Sequence, residues 1–197
     1  MEKGFFMPKD IEKKILDAAM KVVATEKISG TRMHIIAKEA EMSQANLHYH
    51  FSSKNDIMMA LLASLQERFS EDRKNYIDID NKTAIENIRG FFNQKENEIL
   101  NKKELDYAQF DYWVQGTVNE EVREKFQDTF SIWRKSISDV LKKGNTKGEL
   151  NLKNIDMIPY IMLSLMLGAS LQYLIDEGKF DLEEYFELSE KLILGEN

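Results

Sequence analysis

The 197-residue chain contains no cysteine, which excludes disulfides and thiolate metal sites and fits a reducing cytoplasm. It has no glycine-rich phosphate loop, no nucleophile elbow and no HExxH helix, so three common signatures of catalysis are missing. Its carboxylates are mostly dispersed over helix faces, which makes an enzyme the poorer reading and implies no cofactor. The amino-terminal MEKGFFMPKDIEKK has no apolar run of signal-peptide length. Alternation of the strand type is almost absent, so an all-α fold is expected.

Hydrophobic residues make up 43% of the chain, enough for a real core, while the net charge is −7. An acidic balance argues against a nucleic-acid partner only if it is uniform. Residues 1–55 hold nine lysines and arginines against seven acids, a local balance of +2, so the excess of acid lies in the rest of the chain. Phosphate contacts are local, because the Debye length is about 8 Å at physiological salt.

The stretch from Thr31 to Phe51, TRMHIIAKEAEMSQANLHYHF, reads as two short helices with a tight break. Thr31 is placed to cap the first, in which Met33, Ile36, Ala37 and Ala40 share a face. Ser43 repeats the device for the second, where Leu47 and Phe51 point inward. Gln44, Ala45, Asn46, His48 and Tyr49 then face outward, with Thr31, Arg32, His50 and Lys54 around them as phosphate partners. Two such helices make a helix-turn-helix, whose second helix enters the major groove. The bland alternative for the outward set is a plain polar surface.

At these residues the chain resembles the TetR family of bacterial transcriptional regulators. The resemblance is carried by Ile15-Leu16-Asp17-Ala18-Ala19, Thr31, Ile36-Ala37-Lys38-Glu39-Ala40, Ser43, Leu47, His50-Phe51 and Lys54. It implies that Gln44, Ala45 and Asn46 meet base edges, that Ser43 caps the recognition helix, and that Thr31, Tyr49, His50 and Lys54 hold the phosphate backbone. Gln and Asn suit adenine, and Ala45 a thymine methyl. His48 stands where the family usually has Tyr, and Lys27, Glu41 and Ala45 where Gly is common. Lys27 and Glu41 are therefore expected at positive φ, at a cost of about 1 kcal/mol each.

Beyond the head, Pro8 opens a first helix expected to end near Glu26, and Ser53 with Asp56 makes a capping-box start for a fourth helix running to about Asn75. Ile85 to Ile99 and Leu105 to Val114 mark a fifth and a sixth. Asn119 caps a seventh, with Val122, Phe126, Phe130, Trp133, Ile137 and Leu141 in one stripe and an expected end at Lys142-Lys143-Gly144. Met157 to Ile175 is a 19-residue run without charge. Its Pro159, serines and Gln172 favour the core helix of a dimer over a membrane span, with Asp156 as N-cap. The last helix, Asp181 to Leu194, sets Leu182, Tyr185, Phe186, Ser189, Leu192 and Ile193 on one face. The resemblance implies that helices 157–175 and 181–194 form half of a four-helix homodimer interface.

The aromatic residues of the sixth helix lie on more than one side, so Tyr107, Phe110 and Trp113 are candidates to line a cavity with Phe130, Trp133, Met162 and Met166. Ordinary core is the competing reading. Asp106, Gln109, Asp111, Gln115 and Gln172 are polar candidates for orienting a ligand. His34, His48 and His50 all lie in the head, but their spacing does not converge on a metal.

The expected protein has a helix-turn-helix DNA-binding domain, residues 1–55, and a helical ligand-binding and dimerisation domain, residues 56–197, joined through the fourth of about nine helices. Its expected role is that of a cytoplasmic, homodimeric repressor that binds a near-palindromic operator and is released by a small, apolar or aromatic effector. The alternative is a helical small-molecule-binding protein or enzyme that retains the head only structurally.

Overall fold

The computed structural model describes residues 8–195; the start of the amino-terminal segment read above lies outside them. These residues form nine α-helices and no strand: α1 Pro8–Gly30, α2 Met33–Glu39, α3 Gln44–His50, α4 Lys54–Arg73, α5 Ala84–Asn101, α6 Lys103–Gly116, α7 Glu120–Lys147, α8 Ile158–Ile175 and α9 Leu182–Leu194. Contacts divide the chain into two compact units. One comprises the chain up to Arg68 together with Tyr107–Arg123, and the other Phe69–Asp106 with Glu124–Asn197. The division falls inside α4, α6 and α7.

In the first unit, Ile15, Ala19 and Val23 of α1, Ile36 and Ala37 of α2, Leu47 of α3, Ile57 and Leu61 of α4 and Tyr112 of α6 are all buried. Their spacing along each helix is the 3.6-residue period that produces one apolar face. Ser43 caps α3 by accepting from the Asn46 amide at 3.1 Å, as expected. The expected capping box at α4 also forms: the Asp56 amide donates to Ser53 Oγ at 3.2 Å, and the Ser53 amide to Asp56 at 2.9 Å.

The second unit gathers one core from α5, α7, α8 and α9, including Ile88, Phe92, Ile99, Ile137, Leu141, Met162, Met166 and Phe186. Asn119 caps α7, as its position predicts, and Asp181, read only as the start of the last helix, caps α9. Several expectations give way. Helix α7 runs past Gly144 to Lys147, because this glycine serves packing: a Cβ there would come within 2.4 Å of Ala84 Cβ and 2.7 Å of Leu150 Cδ1. The turn glycine is Gly148, at φ 72°. Met157, not Asp156, is the N-cap of α8, and Pro159 still falls in the first turn. Leu192 lies off the buried face of α9 and is exposed.

Helix α8 is long and apolar enough to cross a membrane, with mean hydropathy 1.6. One face of it enters the core through Ile158, Met162, Leu163, Met166 and Ala169, while Tyr160, Ile161, Leu171 and Ile175 are exposed.

Candidate functional site

The break between α1 and α2 sets up the head. Lys27 sits at φ 60°, ψ 168° and ends the regular part of α1. Glu41, at φ 52°, reverses the chain between α2 and α3. Both were expected at positive φ. Each position accepts a non-glycine residue at a cost of about 1 kcal/mol, which the surrounding packing must offset.

Thr31 has a different role from the cap expected of it. It is 0% exposed, and its hydroxyl donates to the Lys27 carbonyl at 2.7 Å, so it fastens the kink from inside; Arg32 is the N-cap of α2. Burial removes the Thr31 side chain from the outward face. Arg32 is exposed, with Nη1 donating to the carbonyls of Ser29 at 2.7 Å and Thr31 at 3.0 Å. Lys54 donates from Nζ to the Ile28 carbonyl at 2.5 Å, and the Ile28 amide donates to Asp111 of α6. Ile28 is thus held from both sides. Burial, then the nearby Arg32, push the Lys54 pKa down while Asp111 opposes them.

Helix α3 divides its residues cleanly. Leu47 is fully buried, whereas Gln44, Ala45, Asn46, His48 and Tyr49 are exposed, Tyr49 to 85%. His50 is half-buried, its ring edge-on to Tyr49 with centroids 5.2 Å apart. The exposed set is rich in hydrogen-bonding groups and poor in charge, which suits base edges better than phosphate alone. Among the described residues no group of three or more His, Cys, Asp or Glu could hold a metal ion.

Residues 15–61 match the family model described as bacterial regulatory proteins, tetR family. Over this stretch the chain is similar to the TetR family. It is 24% identical over 177 residues to the HTH-type nicotine-responsive transcriptional repressor HdnoR of Paenarthrobacter nicotinovorans, a match covering 85% of each chain. Its fold is shared with a transcriptional regulator from Saccharomonospora viridis in complex with choline, at TM-score 0.84, 20% identity and coverage of 93% and 96% of the two chains. A TetR transcription regulator from Haloarcula marismortui matches at TM-score 0.84 and 18% identity, over 94% and 97%. FadR from Bacillus subtilis in complex with stearoyl-CoA matches at TM-score 0.74 and 20% identity, over 92% and 97%.

The second unit contains a small cavity of about 40 Å³ that opens to solvent. Phe69 and Arg73 of α4, Phe91, Gln94, Lys95 and Glu98 of α5, Trp133 and Ile137 of α7, and Leu163, Met166 and Leu167 of α8 line it. Of the seven residues expected to form such a wall, Trp133 and Met166 are there. Met162 is fully buried core, and Phe130 packs edge-on against Trp133 without lining the cavity. Tyr107, Phe110 and Trp113 belong to the other unit, where the Tyr107 ring lies under the Lys27 ammonium and Phe110 meets Trp113 edge to face.

A chain of polar side chains joins α4, α5, α6 and α8 beside this cavity. Lys95 Nζ is 2.6 Å from Asp106 and 3.4 Å from Glu98. Ser170 Oγ donates to Asp106, and Gln94 Nε2 donates to Glu98 at 2.9 Å and to the Phe69 carbonyl at 3.1 Å. Burial raises the Glu98 pKa; Lys95 opposes the shift, and Asp106 adds to it. Of the polar residues expected at the ligand only Asp106 enters this chain. Asp111 is engaged in the first unit and Gln172 is exposed. The sequence signal for the network is Lys95, which falls on the apolar stripe Ile88, Phe91, Phe92 and Ile99 of α5.

Proposed function

We propose that this protein is a homodimeric, effector-responsive repressor that places α3 in the major groove of a near-palindromic operator. The observation that carries the reading is the sorting of α3: Leu47 holds the helix to the head while five polar or small residues, Gln44 to Tyr49 without Leu47, are exposed together. Gln44, Ala45 and Asn46 read base edges; Arg32, Tyr49, His50 and Lys54 hold the backbone once the last of these gives up its bond to Ile28. The division of labour is a domain of residues 1–55 for DNA and one of residues 56–197 for effector and partner. A nicotine-responsive repressor among its relatives supports repression by an effector-released protein.

Exposed apolar side chains on α8 and α9, including Tyr160, Ile161, Leu171, Ile175, Leu188 and Leu192, support a homodimer through these helices. The effector occupies the cavity against Phe69 and Arg73 at the end of α4, the helix whose first turns belong to the head. Binding there shifts the end of α4 and with it the spacing of the two recognition helices, which must be about 34 Å apart to enter successive grooves. The effector acts only through its differential affinity for the two states. The work is done in the cytoplasm.

Selection of fragments from the source genome by the purified protein, at two salt concentrations, tests this reading. Enrichment of a near-palindromic site supports it; equal, salt-sensitive retention of every fragment contradicts it.

A further inference from the structure

Charge in the cavity wall is unevenly compensated. The carboxylates of Glu98 and Asp106 share Lys95, and Ser170 and Gln94 supply further donors. Arg73 has no equivalent. Among the described residues no carboxylate lies within 4.0 Å of its guanidinium, and its side chain donates only a long bond from Nε to Gln94 Oε1 at 3.4 Å. Four of its five N–H donors are thereby left without a protein acceptor. The guanidinium carbon lies 5.6 Å from the Trp133 ring centroid, which fixes the fork at the cavity wall. Desolvation lowers the Arg73 pKa, with Glu98 opposing it, as expected of a cation that lacks a close counter-charge.

Apolar and aromatic groups form most of the remaining wall, among them Phe69, Phe91, Trp133, Leu163 and Met166. We infer that the effector is an amphiphilic monocarboxylate, its carboxylate gripped by the Arg73 fork and its apolar, preferably aromatic, body packed against these side chains. A planar carboxylate matches the two parallel N–H groups of a guanidinium. A cationic amine fits less well. Arg73 already occupies the ring face of Trp133 that would attract it, and Glu98 is engaged by Lys95 and Gln94. The inference rests on the cavity being the effector site of the regulator proposed above.

Three probes with one body and different head groups separate the possibilities: para-butylbenzoate, para-butylbenzyl alcohol and para-butylbenzylammonium. Each is titrated calorimetrically into the full chain and into Arg73→Gln and Arg73→Lys variants whose folding is checked by thermal melting. The carboxylate binds the wild type roughly ten- to a hundredfold tighter than the alcohol, and the ammonium binds weakest. Arg73→Gln abolishes the preference; Arg73→Lys keeps part of it, and decides the matter alone if the glutamine variant does not fold. Equal affinity for all three, a preference for the ammonium, or no binding of the carboxylate overturns the inference. The same wild-type preparation is tested for operator binding. Specific DNA binding without carboxylate preference removes the ligand class and leaves the regulator, whereas absence of specific DNA binding removes the regulator whatever the cavity takes.

Discussion

Replacing Lys95 with Met tests the buried network that borders the cavity. Lys95 is the cation shared by Asp106, which is 0% exposed, and Glu98, which is 5% exposed. Methionine fits the volume but leaves two carboxylates together without a cation. Breaking a buried pair from one side costs about 3–5 kcal/mol, a large share of a total stability of about 5–15 kcal/mol. The loss depends on pH in a defined direction. Without Lys95 to oppose the effect of burial, the Glu98 carboxylate holds its proton to higher pH than in the unfolded chain, so the variant's stability falls as pH rises above the ordinary carboxylate range. Urea unfolding at one fixed protein concentration is the assay, since the proposed homodimer would make stability depend on concentration. The variant is expected to lose about 3–5 kcal/mol at neutral pH and visibly less near pH 5. Lys95→Met with Asp106→Leu recovers much of the loss, because the deepest unpaired charge is gone. A neutral-pH change below about 1 kcal/mol for Lys95→Met, the range of an exposed pair, refutes the argument.

Gly144→Ala sets two effects against each other: alanine gains about 1 kcal/mol of helix propensity, while overpacking against Ala84 and Leu150 costs about 1–3 kcal/mol. The clash at 2.4 Å wins, and the melting temperature falls by roughly 3–6 °C in calorimetry. Ser43→Ala removes the cap of α3, lowers stability by about 1 kcal/mol in urea unfolding and weakens operator binding without changing which site is chosen. Glu98 is held above the usual carboxylate range by burial, so its folded state retains the proton longer and stability declines as pH rises from about 4.5. Glu98→Gln flattens that decline in pH-dependent thermal melts.

What the sequence revealed was mostly local. Ser43, Ser53 and Asn119 each accept from an amide three residues on, so their caps are written in adjacent residues. Lys27 and Glu41 were legible as strained because glycine is the usual occupant of their positions in the family. Thr83 and Glu86 form a capping box of the same local kind, which the reading of Ile85 to Ile99 missed. The caps expected at Thr31 and Asp156 missed by one residue, and the larger misreadings came from long-range packing. Lys142-Lys143-Gly144 looks like a helix end, but only the approach of Ala84 and Leu150 explains the glycine. Likewise, Tyr107 and Trp113 look like cavity wall on a helical wheel, yet α6 leaves the cavity's unit after Asp106. Arg73 follows Phe69 by four residues on α4, which announces a shared face but not the missing counter-charge.

The exposed face of α3 is proposed to read DNA sequence. Its most direct test compares wild type with the Gln44→Ala/Tyr49→Ala variant on one selected operator duplex and on a scrambled duplex, each at two salt concentrations. Loss of the preference for the operator by the variant, with the weak, salt-dependent affinity for scrambled DNA retained, is the predicted result. An unchanged preference in a folded variant would place sequence recognition somewhere other than α3.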